Sequence, residues 1–251
     1  MILSTIFIER WRCIDPLLDW YTHQEWDHND IDIIWIVDTC SQAFREKLRD
    51  WRKNEGRNYR SLRWIEVLNT PVKHQVLYEG CGSTRQKRDQ VAENFALIFK
   101  YAREKKDYLF IVEDDTVPVF YDCIDRLYNV LHSEKDILVT GVPVRVDYRG
   151  KGADRWNLWE IRDKKVLNLG LDGNDIMRVD ASGTPCTLIH KDLLTQTDYL
   201  PKANYPFHGP CGQDIYMGYM IKEQYNGKWL IDTTQRAWHY LNYKKDEVVR
   251  V

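Results

Sequence analysis

Two apolar runs constrain this chain more than any other feature in it. Ile31-Asp32-Ile33-Ile34-Trp35-Ile36-Val37 and Tyr108-Leu109-Phe110-Ile111-Val112 each break abruptly into carboxylates, Asp38 after the first and Glu113-Asp114-Asp115 after the second. Runs this short and this apolar are strands covered on both faces, the signature of a mainly parallel sheet. Helical patterns alternate with them. Ser41 can cap a helix in which Phe44, Leu48 and Trp51 share a face, and Ser83 with Gln86 forms a capping box. The long helix it opens carries the stripe Val91, Phe95, Ile98 and Ala102, and Phe120, Ile124, Leu127, Tyr128 and Leu131 mark a further helix. Ser4 to Ile8 and Ile137 to Val142 read as additional strands, while Tyr148 to Arg178 loosens into loops and short antiparallel strands. The pattern predicts an α/β fold, a sheet flanked by helices with ligands at the carboxyl ends of its strands, where Asp38 and Asp115 stand.

The 251 residues suit one large domain, and no linker or repeat divides them. With 36 Lys and Arg against 38 Asp and Glu, the chain is not a polycation for unspecific nucleic-acid binding. Its six cysteines (Cys13, Cys40, Cys81, Cys123, Cys186, Cys211) form no C-x-x-C pair and no dense disulfide framework, which fits a reducing, cytoplasmic setting. Met1 to Ile8 is apolar, but Glu9 and Arg10 interrupt it before signal-peptide length, and no stretch is long enough to span a membrane.

Three adjacent carboxylates repel one another, and such a cluster at a strand end is stable mainly when a cation or hydrogen-bond donors compensate it. Oxygen ligands favour Mn2+ or Mg2+. A solvated acidic turn is the plain alternative. The triplet is followed by Asp180-Ala181-Ser182-Gly183-Thr184-Pro185-Cys186, by Gly209-Pro210-Cys211-Gly212-Gln213-Asp214 and by a late His239. In this order the segments resemble a GT-A-fold glycosyltransferase of the inverting, family-2-like kind, and the resemblance spans nearly the whole chain. It implies a Rossmann-like, mainly parallel sheet with a small antiparallel acceptor-side portion. Residues 1–118 would form the nucleotide-sugar-binding half and 119–251 the acceptor-side half.

The resemblance also assigns roles. Asp115 and His239 would hold the metal, with Glu113 either a third ligand or acting through water or the ribose, since the family's Asp-x-Asp here reads Glu113-Asp114-Asp115. Asp38, Arg85, Arg88, Glu113, Asp114, Gly183 and Thr184 would face the donor, a UDP-sugar. Asp38 suits a base or ribose contact, and the two arginines suit phosphate oxygens. Gly183 would let the backbone approach the sugar. Asp214 would be the general base that takes the acceptor hydroxyl's proton, and its place at a helix start favours the ionised form. Gln213 stands where relatives carry an acid. On local grounds alone, Asp38 and Asp214 are equally helix-leading acids, Arg85 and Arg88 solvated charges, Gly183 part of a tight turn and His239 a structural residue. Trp156, Trp159 and His208 lie in segments that would flank the acceptor.

Arg45 to Arg63 carries eight basic residues (Arg45, Lys47, Arg49, Arg52, Lys53, Arg57, Arg60, Arg63) against three acidic ones, with Trp51 and Tyr59 among them. Basic residues interleaved with aromatics suit a nucleic-acid backbone, so DNA bearing a hydroxymethylated base is one acceptor to consider. A helix face with internal ion pairs is the competing reading, and glycan or small-molecule acceptors stand beside it. Two other classes remain: a nucleotidyltransferase, whose Gly-rich basic loop is missing after the first strand, and a non-catalytic binding module on the same fold.

Overall fold

The two apolar runs become central strands of an eight-stranded sheet in the computed structural model, which describes residues 1–68, 85–146, 155–163, 165–171, 173, 175–196 and 212–239. The first half alternates strand and helix: β1 (Ile2–Phe7), α1 (Trp11–His23), β2 (Asp32–Asp38), α2 (Gln42–Asn54), β3 (Ser61–Val67), α3 (Arg85–Lys105) and β4 (Leu109–Ile111). These four strands are parallel and ordered β4-β1-β2-β3. All of β1, and all of β2 except Asp38, is buried, as two-sided coverage requires. The first strand starts before the expected Ser4 because Ile2 and Leu3 pair on both sides, with Asp32 and Ile33 of β2 and with Leu109 and Phe110 of β4. It stops short of Ile8, whose N–H turns instead to the Asp114 carboxylate.

The second half runs through β5 (Thr116–Pro118), α4 (Cys123–Leu131), β6 (Ile137–Gly141), β7 (Arg145–Val146), β8 (Arg155–Trp156), β9 (Leu158–Arg162), β10 (Lys165–Asn168), β11 (Ile176–Val179), β12 (Ala181–Ser182) and β13 (Thr187–Ile189). It then continues through α5 (Lys191–Gln196), α6 (Gln213–Glu223), β14 (Lys228–Asp232) and β15 (Ala237–His239). The large sheet extends as β4-β13-β6-β14-β11, with β13 antiparallel to both neighbours and β14 parallel to β6. The loosely patterned region contains the expected short antiparallel strands β8, β9 and β10, which pair with each other or with β7 and β12 on its flanks as β7-β8 and β10-β9-β12.

Helices cover both faces. Ile14 of α1, Phe44 of α2 and Leu127 of α4 join one buried cluster, and Phe95 of α3, Leu193 of α5 and Ile221 of α6 join the other. Ser41 caps α2, its hydroxyl accepting the Phe44 N–H at 3.3 Å, whereas the proposed cap Ser83 lies outside the described residues. Two elements differ from the sequence pattern. Helix α1 is not anticipated, because Pro16 stands inside it and costs about 3 kcal/mol in a helix interior. Burial of Cys13, Ile14, Leu17, Leu18, Trp20 and Tyr21 outweighs this, at roughly 1.5–3 kcal/mol for each large apolar side chain. Phe120 lies outside α4 and is 40% exposed, since its carbonyl is engaged by Trp20 Nε1 and that of Tyr121 by the Glu25 N–H.

Candidate metal and nucleotide site

The acidic triplet fills the turn between β4 and β5, and its three side chains go three ways. Asp114, 4% exposed, points back to β1, accepts the Ile8 N–H at 2.7 Å and faces Arg10 Nε at 4.0 Å. Burial, then the charge of Asp115, pushes its carboxyl well above the ordinary range. Glu113 turns towards the β12–β13 connection and accepts the Thr184 hydroxyl. Burial and Asp115 raise it to about 7. Asp115 accepts the Thr116 hydroxyl at 3.2 Å and faces both His239 and Arg10. Burial works against its charge, but His239, Arg10 and Thr116 together hold it below the ordinary carboxylate value.

His239 reaches this turn because β15 pairs antiparallel with β5, in a register that sets His239 opposite Thr116. Its Nδ1 lies 2.9 Å from the Arg145 carbonyl, which fixes the ring and directs Nε2 to Asp115 Oδ2 at 3.8 Å. Burial disfavours the imidazolium, yet Asp115 outweighs it and the His239 pKa is raised. A gap of 3.8 Å is too long for a hydrogen bond. Two atoms ligating one small cation at about 2.1 Å each sit roughly 3.0–3.5 Å apart, so a small closure would let both bind one ion. Among the described residues no three His, Cys, Asp or Glu side chains form a metal-holding group. The pair therefore fits an ion completed by phosphate oxygens and water, the usual habit of Mg2+. Glu113 does not complete a three-ligand set in this arrangement.

Asp38 ends β2 and is anchored from two sides, by Thr39 Oγ1 and by the buried Asn94 Nδ2 of α3, each at 2.8 Å. Arg85 and Arg88 occupy the first turn of α3, but their side chains lie outside the described residues. Gly183 and Thr184 join β12 to β13. A Cβ on Gly183 would fall 1.5 Å from Asn157 Nδ2, so the glycine is needed to admit the Asn157 amide, a packing reason separate from any donor contact. Asp214 sits in the first turn of α6, with its Oδ1 on the Ile215 N–H at 2.9 Å, and its charge adds to the upward push on Glu113. Helix α6 is seated by Gly218, where a Cβ would meet the Asp180 carbonyl at 2.2 Å, and by Lys222 Nζ on Asp180 Oδ2 at 2.8 Å. Trp156 and Trp159 are half-buried, while His208 lies outside the described residues.

The structure thus gathers Glu113, Asp115, Thr184 and His239, with the charge of Asp214 acting on Glu113. Asp38 is held separately, at the end of β2. Three polar residues that the sequence reading does not single out also belong to this end of the sheet: Arg10, Asn94 and Asn157. Arg10 carried the only available signal, a charged pair Glu9-Arg10 directly after the first strand. Most of the basic segment is engaged within the molecule. Arg45 and Arg49 face Glu66, Lys47 faces Asp15, Arg60 faces Asp32 and Arg63 lies over the Tyr101 ring.

The parallel half-sheet, the acids at its carboxyl ends and the small antiparallel sheets beside it define a GT-A-type fold, shared with solved glycosyltransferases. The chain is similar to GalNAc-T7, solved with UDP, GalNAc and Mn2+, at 14% identity and a TM-score of 0.59, over 97% of this chain and 44% of that one. It is similar to the mannosyltransferase PcManGT from Pyrobaculum calidifontis, solved with GDP-Man and Mn2+, at 9% identity and 0.53, over 91% and 53%. A third similarity is to S. aureus TarS 1-349 in complex with UDP, at 10% identity and 0.52, over 92% and 57%. The chain spans about half the length of these three proteins, and at these identities the likeness is one of fold. No family model matches the chain, and no curated protein matches it by sequence.

Proposed function

We propose that this protein is a metal-dependent glycosyltransferase that moves a sugar from a nucleoside-diphosphate sugar to a hydroxyl acceptor. The observation that carries this reading is the approach of His239 to Asp115 at the carboxyl end of a GT-A-type sheet, with Asp214 placed so that its charge acts on Glu113. Asp115 and His239 would hold the cation, which supplies positive charge to the departing diphosphate. Asp38, fixed by Asn94 and Thr39, suits the nucleoside. Arg85 and Arg88, on the first turn of α3, suit the phosphates. Thr184 holds Glu113 and lines the sugar side with Gly183.

The chemistry assigned to the chain is a single displacement. The acceptor oxygen bonds to the anomeric carbon, the bond from that carbon to the phosphate oxygen breaks, and the hydroxyl proton passes to the Asp214 carboxylate. Asp214→Asn should lower transfer about 10²–10⁴-fold while UDP binding persists. Transfer at the wild-type rate would remove Asp214 as the base. Nucleotide binding with no turnover on any acceptor would return the molecule to a binding module.

UDP is the favoured nucleotide, since two of the three similar structures contain it and one contains GDP-Man. For the acceptor, internal pairing of Arg45, Lys47, Arg49 and Arg60 favours a glycan or small-molecule hydroxyl. Hydroxymethylated DNA is a second reading, supported by the exposed Arg52, Lys53 and Arg57 on the same segment. Gel shifts with modified DNA, on wild type and on a charge-reversed triple variant, separate the two. Among the described residues no helix is long and apolar enough to cross a membrane.

A further inference from the structure

Arg10 lies outside the transfer roles of Asp115, His239 and Asp214, yet it is the cation nearest the acids from the β1 side. It follows Glu9, which takes a left-handed φ of 67°. The Glu9 carboxylate is tied to the Ser41 N–H at 2.9 Å and to Trp11 Nε1 at 3.0 Å, so this turn is braced against α2 and α1. The bracing sends the Arg10 side chain inward, where it is 15% exposed. Its Nη2 stands 3.7 Å from Asp115 Oδ2 and its Nε 4.0 Å from Asp114 Oδ1.

Neither distance is a hydrogen bond, and Nε is buried with no hydrogen-bond partner among the described residues. Arg10 therefore balances the acids by charge while its Nε donor remains unsaturated among the described residues. The two carboxylates cannot easily satisfy it. Asp114 already accepts the Ile8 N–H, and Asp115 accepts the Thr116 hydroxyl and faces His239. A planar fork of donors fits a phosphate oxygen pair, the group that the proposed donor would bring to this turn.

We propose that Arg10 binds the diphosphate of the donor and, before the donor arrives, opposes the divalent cation at Asp115. Two positive charges cannot both sit close to Asp115 without repelling each other. Entry of the diphosphate relieves that repulsion by giving the guanidinium its own oxygens. The inference rests on Asp115 as a metal ligand.

It requires two effects of opposite sign. Arg10→Gln should bind UDP in saturating Mn2+ about tenfold or more weakly, because a charge-assisted hydrogen bond is lost. The same variant should bind Mn2+ alone more tightly than wild type, because a competing charge has gone. Arg10→Lys should restore the opposition to Mn2+ but only part of the UDP affinity, since a point charge lacks the fork. Free Mn2+ followed by electron paramagnetic resonance, and UDP binding by calorimetry, measure both on the intact chain, with a thermal melt to verify folding. Unchanged affinities in Arg10→Gln, or a parallel loss of both, would overturn the proposal. Equal Mn2+ binding by wild type and Asp115→Ala would instead overturn the placement of the metal, leaving the UDP affinity of Arg10→Gln to decide the diphosphate role.

Discussion

Buried carboxylates stand at both ends of the central strands, and the protein treats them in opposite ways. At the amino end, Asp32 of β2 is 2% exposed and meets Arg60 Nε at 3.0 Å, Arg60 Nη2 at 2.8 Å and the Ser61 hydroxyl at 2.6 Å. Burial alone would raise its pKa, but Arg60 and Ser61 outweigh that and hold it below the ordinary value. At the carboxyl end, Asp114 is 4% exposed but has, among the described residues, one backbone donor within hydrogen-bond range, and it is pushed well upward. Where only stability is at stake the buried charge is matched in full. Where we propose that a cation binds, a deficit of positive charge is left standing around Asp114, at a cost in stability.

The largest effect expected from breaking this contrast is at Asp115. Asp115→Ala should lower transfer about 10³-fold or more, as several kcal/mol of charge stabilisation are lost, while Asp114→Asn, which removes the charge that the fold disfavours, should hold or raise the melting temperature of the metal-free protein. Initial rates with a UDP-sugar and Mn2+, beside a melting scan, check both halves, and chelation of wild type should mimic the rate loss. Asp32→Ala should do the reverse. It should cost about 2 kcal/mol of stability in urea unfolding, from hydrogen bonds to a charged group, with unchanged affinity for UDP and Mn2+. A loss of nucleotide binding in that variant would mean that the two ends are not independent.

The pH dependence sharpens the comparison. Asp32 has a lowered pKa, so its stabilisation is present above its unfolded value of 3.8 and is lost as pH falls through the lower folded value. Glu113 has a raised pKa, so the fold favours its neutral form and the metal-free protein should lose stability as pH rises from 4.5 to about 7. Melting scans in EDTA should show both slopes, with Glu113→Gln flattening the second and Asp32→Asn the first. The smallest effect belongs to Arg52, Lys53 and Arg57. Their reversal to Glu should change stability by less than about 0.5 kcal/mol each and leave donor turnover intact, a mobility-shift and rate measurement on one variant.

The sheet was legible because its strands announce themselves. Ile33 to Val37 and Leu109 to Ile111 are apolar on both faces, and no helix can bury such runs in so few residues. The acids after them were legible for the same reason, since a carboxylate that ends a buried strand has few other places to be. Helix α1 was hidden by Pro16, whose local penalty is visible in sequence while the burial that overrides it is not. Arg10 and Asn157 were hidden because their meaning is tertiary. One depends on a left-handed turn at Glu9, the other on the space left by Gly183 on a distant strand. Thr184 was expected at the sugar and is found holding Glu113, a contact between segments that no local pattern links.

The pairing of β15 with β5 has a consequence for how the molecule comes into being. Thr116 and its neighbour Asp115 leave the ribosome long before Ala237 to His239, so the acidic turn waits while residues 117–236 are made before the strand that delivers its imidazole follows. A chain stopped short of β15 would retain every strand of the large sheet and still lack half of the proposed metal pair. The proposed capacity for transfer would therefore arrive late, as a property of the finished pairing and not of the sheet that carries it.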